Sequence, residues 1–166
     1  AVSHLVGVPE DVLSGNMEGV TTEAWTQAQV DRHANDSLMS ILDTWEAMGP
    51  TIDAVLPNIP MPVNSQFVFD ACTHEHDIRA AIGQSGALDS QSVLVGVGFF
   101  RNLLSQRSQP EAQELLQASI NDFDFFRSLG GRRSAAQIAE CGLDPSKVQV
   151  VMETLPLSIP TTSVPE

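Results

Sequence analysis

The run FVFDACTHEHDIRAAIG, residues 67–83, sets Asp70, His74, Glu75, His76, Asp77 and Arg79 among apolar neighbours. Charged groups are costly to bury without partners, so a segment of this kind must either expose them or pair them. On a helix, residues three and four apart share a face. Asp70, His74 and Asp77 then form one stripe, while His76 points to another face, half exposed beside Glu75 and Asp77. Asp70 and His74 converge on one point, which suits a metal ion held by a carboxylate and an imidazole. The same pair also reads as an ordinary charged hydrogen bond. A metal needs at least one more ligand from another element. His4, beside Leu5 on the apolar face of the first helix, is the candidate, and it reads equally as a core histidine with its own partner.

Working outward, the flanking segments are helical as well. Val2, Leu5, Val6, Val12 and Leu13 keep helical spacing from the first residue, as in a helix already under way, with Pro9 expected to kink or restart it and Ser14-Gly15-Asn16 to stop it. Thr22 is placed to cap a short polar helix. Asp36 or Ser37 caps a better one, whose Leu38, Ile41, Leu42, Trp45 and Met48 fall on one apolar stripe. PNIPMPV, residues 57–63, has three prolines in seven positions and is a connection. Asn64-Ser65 is expected to cap the helix of the opening stretch. Asp89 or Ser90 caps VLVGVGFFRNLL, and PEAQELLQASINDFDFF, residues 110–126, is helical in composition. A Gly-Gly break, a short Ser-capped helix and the Pro-rich end LPLSIPTTSVPE close the chain. Four or five substantial helices without strand patterning predict an all-α bundle.

The totals narrow the function. A chain of 166 residues with 42% hydrophobic and 17% charged residues is globular, and long enough for a core without disulfides. Twenty-one acids against eight basic residues, Lys147 being the one lysine, give a net charge of −13. That charge repels phosphate backbones and anionic lipid, which argues against nucleic-acid and peripheral-membrane roles. An acid excess with few lysines is also common in actinobacterial and salt-adapted proteins. No apolar run of about 18 residues suggests a spanning helix, and no signal peptide is visible at the N-terminus. Cys72 and Cys141 form no CxxC pair, so a reducing cytoplasm is the expected setting. Cys72 reads as a small buried hydrophobe and Cys141 as a packed helix end. His33, in a polar run, is expected at the surface. GVGFF lacks the spacing of a nucleotide loop, and Phe99-Phe100 and Phe125-Phe126 read as core.

Three motifs occur in order: His4-Leu5-Val6-Gly7; Asp70-x-x-x-His74-Glu75-His76-Asp77-Ile78-Arg79; and Phe126-Arg127-x-Leu129-x-Gly131-Arg132-Arg133-Ser134-x-x-Gln137. Together they resemble the mycothiol-dependent maleylpyruvate isomerase family of actinobacteria, within the DinB-like superfamily. The resemblance implies a DinB-like four-helix bundle over residues 1–109, with core helices at about 2–14, 37–56, 64–82 and 90–106. Residues 110–166 would form a short C-terminal extension carrying the GRRS segment. It implies a divalent metal, zinc in the first place and nickel in the second, on His4, Asp70 and His74, with Asp77 orienting the site. Aspartate stands at 70 where the characterised isomerase has glutamate, one methylene longer. The α/β appendage usual in that family is reduced or absent between the bundle and GRRS.

The activity implied is a thiol-dependent isomerase or S-transferase, in which a metal-bound thiolate, from mycothiol, attacks a small electrophile. Arg132 and Arg133 would bind a carboxylate of the thiol or substrate, or else cap the preceding helix and pair with acids. The rival expectation is a non-catalytic metal- or ligand-binding helical bundle, or a module for forming a homodimer.

Overall fold

Capping chemistry starts most of the helices. The computed structural model describes every residue except Thr154, Pro156 and Glu166. Among the described residues it holds nine α-helices, one 3-10 turn and no strand, so the chain is all-α. Five helices have ten residues or more: α1 (Val2–Ser14), α2 (Glu23–Arg32), α3 (Leu38–Val55), α4 (Val63–Ala81) and α5 (Gln91–Ser105). Four shorter ones follow: α6 (Pro110–Leu116), α7 (Asp122–Leu129), α8 (Ala135–Glu140) and α9 (Pro145–Met152). The side chains of Thr22, Ser37, Ser90 and Ser134 each accept a backbone N–H at the start of α2, α3, α5 and α8. This satisfies one of the amides that a helix start leaves without a carbonyl. Among the described residues no helix is long and apolar enough to cross a membrane.

The chain divides into two compact units, Ala1–Asn64 and Ser65–Glu166. Residues after 109 therefore belong to the same unit as most of α4 and all of α5.

In the first unit, α1 packs against α2 and α3. Pro9 is accommodated within α1, and the helix ends on Gly15 in the left-handed conformation at φ 75°. The approach of α2 to α1 depends on Gly7, where a Cβ would lie 2.4 Å from the Cβ of Gln29. Apolar burial in this unit is thin. Val6, Val8 and Ile41 are its buried hydrophobics, whereas Leu38, Met39, Leu42 and Trp45 of α3 stay exposed. The apolar stripe of α3 is thus real in the sequence, but only Ile41 of it is buried. The connection after α3 also departs from the expectation: Leu56–Asn58 form a 3-10 turn, and α4 begins at Val63, so Asn64 and Ser65 lie in its first turn.

Buried polar groups fill much of the remaining interior. His33, expected at the surface, is buried between Asp36 (Nδ1 to Oδ2, 2.8 Å) and Glu10 (Nε2 to Oε2, 3.1 Å). Desolvation would depress its pKa, but the two carboxylates outweigh burial and raise it above the usual 6.5. A histidine of this kind stabilises the fold fully below its unfolded pKa, and the contribution is lost as pH rises through the raised folded value. His33→Gln should therefore destabilise more at about pH 5.5 than at about pH 8.5. Urea midpoints at the two pH values check this, and equal losses would show that the charge of His33 contributes nothing.

The second unit has a dense apolar core. Val93, Phe100, Leu104, Phe125, Phe126, Ile138, Val148 and Met152 are fully buried there. Phe69 of α4 lies between Phe99 (centroids 5.5 Å), Phe100 (4.8 Å) and Phe126 (5.8 Å). Both FF pairs are core, as their pattern suggested. A Cβ on Gly96 of α5 would meet the Phe126 ring at 2.5 Å, so glycine lets α7 seat Phe126 against α5. The run 110–126 is not one helix. Residues 117–121 interrupt it, because Asn121 accepts the amide of Asp124 and starts α7 anew. Leu157 and Ile159 of the non-helical C-terminal segment pack on this core. No strand occupies the region between α5 and the GRRS segment.

Candidate metal centre

On α4, the i, i+4, i+7 stripe of Asp70, His74 and Asp77 forms as its spacing predicts. The imidazole of His74 lies between the two carboxylates. Its Nε2 is 3.8 Å from Asp70 Oδ1 and its Nδ1 is 3.5 Å from Asp77 Oδ2. Two donors bound at ordinary zinc distances on a tetrahedral ion stand about 3.4 Å apart. The Asp70–His74 pair needs only a few tenths of an ångström of adjustment to match that. Aspartate at 70 is therefore long enough to share an ion with His74, despite being one methylene shorter than glutamate.

Asp77 is held by two guanidinium groups. Arg127 NH1 donates to Oδ1 and Arg132 Nε donates to Oδ2, both at 2.9 Å. Burial opposes the charged form of Asp77, but the hydrogen bonds from His74, Arg127 and Arg132 outweigh it and hold the carboxyl well below the usual range. Asp77 thus faces the inner nitrogen of His74 as a fixed anion, an arrangement that favours a proton on Nδ1 and a lone pair on Nε2. Arg127 is 1% exposed. Its motif was noted in the sequence, but its partner lies 50 residues away and no local spacing announces the pair.

Arg132 also donates to the Gly130 carbonyl at 3.3 Å, and Arg133 pairs with Asp124 at 2.5 Å. Both guanidinium groups are engaged by carboxylates of the chain, so a ligand carboxylate would have to compete with Asp77 and Asp124.

His76 corrects its sequence reading. It is buried, edge-on to Phe123 at 4.9 Å, and its Nε2 has no hydrogen-bond partner. Burial pushes its pKa down from the usual value of 6.5. Cys72 is also in the core, as expected, with desolvation pushing its thiol up to about 12. Cys141 is half-buried at the end of α8, its Sγ donating to the Ile138 carbonyl at 3.1 Å.

In the first unit, His4 is buried on α1, and its Nδ1 is 2.6 Å from Gln29 Oε1. Gln29, fully buried on α2, donates through Nε2 to Asp11 Oδ2 at 2.7 Å. Asp11 in turn accepts from Arg32 at 2.6 Å and Asn16 at 3.0 Å on Oδ1. His4 was legible as a candidate. The buried amide and acid behind it were not, since a lone glutamine in a polar helix carries no burial signal of its own.

A groove of about 770 Å³, lined in part by Ser134, Ser146, Gln149 and Thr161, contains none of these residues. Compared with known protein families, curated proteins and solved structures, the chain matches none of them.

Proposed function

We propose that this chain binds one divalent metal ion through His74 and Asp70, with His4 as the third ligand, in a DinB-like four-helix fold. The observation that carries the reading is His74 set between two carboxylates, one of them pinned by Arg127 and Arg132. A set of two imidazoles and one carboxylate suits zinc first and nickel second, and a three-residue set leaves a position for an exogenous ligand. When bound, the ion supplies a Lewis acid that lowers the pKa of a thiol or water at that position.

The remaining chemistry falls to the protein. The Asp77 carboxylate, 3.5 Å from Nδ1 of His74, favours a proton on that nitrogen and leaves Nε2 toward Asp70, and the two arginines keep Asp77 ionised. The ordered motifs from His4 to Gln137 support a thiol-dependent isomerase or S-transferase acting on a small electrophile, with mycothiol as the thiol. The alternative is a non-catalytic metal- or ligand-binding bundle, or a module that forms a homodimer. The exposed Leu38, Leu42 and Trp45 on α3 favour it, since an apolar helix face in water invites a partner.

The test is the metal content of protein purified without an affinity-metal column, for the wild type and His74→Ala. About one zinc or nickel per chain, lost in the variant, is expected. A wild type that holds no metal even after zinc is added back would sink the metal and enzyme readings together and leave the binding-module alternative.

A further inference from the structure

We infer that Asp11, acting through Gln29, fixes the tautomer of His4 so that Nε2 is the atom presented to a metal; the metal part of this inference rests on the function proposed above. Asp11 sets the direction of the whole chain of contacts. A carboxylate can only accept hydrogen bonds, so the Gln29 amide must turn its NH2 toward Asp11. That contact is 2.7 Å. The amide oxygen is then committed to His4, 2.6 Å from Nδ1. An amide oxygen can only accept, so Nδ1 must carry the proton. In the neutral ring this leaves the lone pair on Nε2, the form that ligates metals, with its far nitrogen anchored as metal-binding histidines require.

Two further features hold the arrangement in place. Arg32 and Asn16 both donate to Oδ1 of Asp11, which leaves Oδ2 to orient the amide. Gly7, one turn after His4, has no Cβ to collide with Gln29, so the amide can enter between α1 and α2. The His4-x-x-Gly7 spacing thus has a physical reason: the first residue uses the amide and the second makes room for it. Asp11, Gln29 and Arg32 are positioning residues in this scheme and touch no ligand themselves.

The experiment uses the full chain with isotope-labelled histidine. The tautomer of His4 is read by nitrogen NMR in metal-free protein at about pH 8, and zinc affinity is measured by competition with a chelator. The wild type should show His4 protonated at Nδ1. Asp11→Asn keeps the shape, but Arg32 and Asn16 hold its oxygen and turn its NH2 to Gln29; the reversed amide should shift the His4 proton to Nε2 and weaken zinc binding about 10–100-fold. The double change Asp11→Asn with Gln29→Glu reverses donor and acceptor between the two positions while keeping an acceptor for His4, and should restore the wild-type tautomer and most of the affinity. A purely structural role for Asp11 predicts no such rescue.

A wild-type His4 protonated mainly at Nε2 would overturn the inference, as would an unchanged tautomer in Asp11→Asn. If the wild type binds no zinc, the proposed function fails, while the NMR spectra of the wild type and the two variants still decide the role of Asp11.

Discussion

Phe126→Ala should lower the stability of the second unit by about 3–5 kcal/mol, the cost of deleting a fully buried aromatic ring. Phe126 has no exposed surface, and its ring touches elements from three parts of the chain: Phe69 and His76 on α4, Phe123 on α7 and the bare backbone of Gly96 on α5. These neighbours are poorly placed to close over a void. Phe69 is already held against Phe99 and Phe100, and Gly96 has no side chain to move inward. The cavity term should therefore add to the lost transfer free energy rather than relax away. Urea unfolding followed by hydrogen exchange of the α5 and α7 amides measures the effect. A loss below about 1 kcal/mol would mean that the unit repacks, against the packing described.

Arg127→Met should cost about 3 kcal/mol, the lower end of the range for breaking a buried ion pair. The guanidinium is removed from an almost fully buried position, and Asp77 keeps one cation, Arg132, at 2.9 Å. The loss comes from leaving a fixed carboxylate short of donors rather than from the net value of the pair. Asp77→Asn added to Arg127→Met should therefore recover part of the stability, because a neutral amide tolerates the missing guanidinium. If the double variant is less stable than Arg127→Met alone, the cost lies in lost packing of the arginine stem and not in the orphaned charge.

Much of this architecture was legible because it is local. Thr22, Ser37, Ser90 and Ser134 announce helix starts within three residues of the amides they bind, and the Asp70–His74–Asp77 stripe follows from helical spacing alone. What was not legible depends on partners distant in sequence. Periodicity gave α3 an apolar face but says nothing of what covers it, and Leu38 and Trp45 remain in water. Sequence alone puts His33 and His76 nearer the surface than the fold does. A histidine among polar neighbours can be buried by carboxylates from another helix, and one beside acids can turn inward onto Phe123. The split between α6 and α7 was signalled by Asn121, but the apolar spacing on either side masked it. Arg127 and Gln29, the residues that hold Asp77 and His4, look like ordinary surface polar residues until the fold supplies their carboxylates.

The state of Cys72 bears on how any thiol chemistry here would be organised. Burial pushes its thiol up to about 12, which favours the protonated form over the thiolate that thiol chemistry needs. A sulfur held in the thiol form and shut in the apolar core is poorly suited to act as a nucleophile. The reactive sulfur would then have to arrive as a diffusible second substrate. Under the thiol-dependent reading proposed above, the rate would saturate in the thiol as well as in the electrophile.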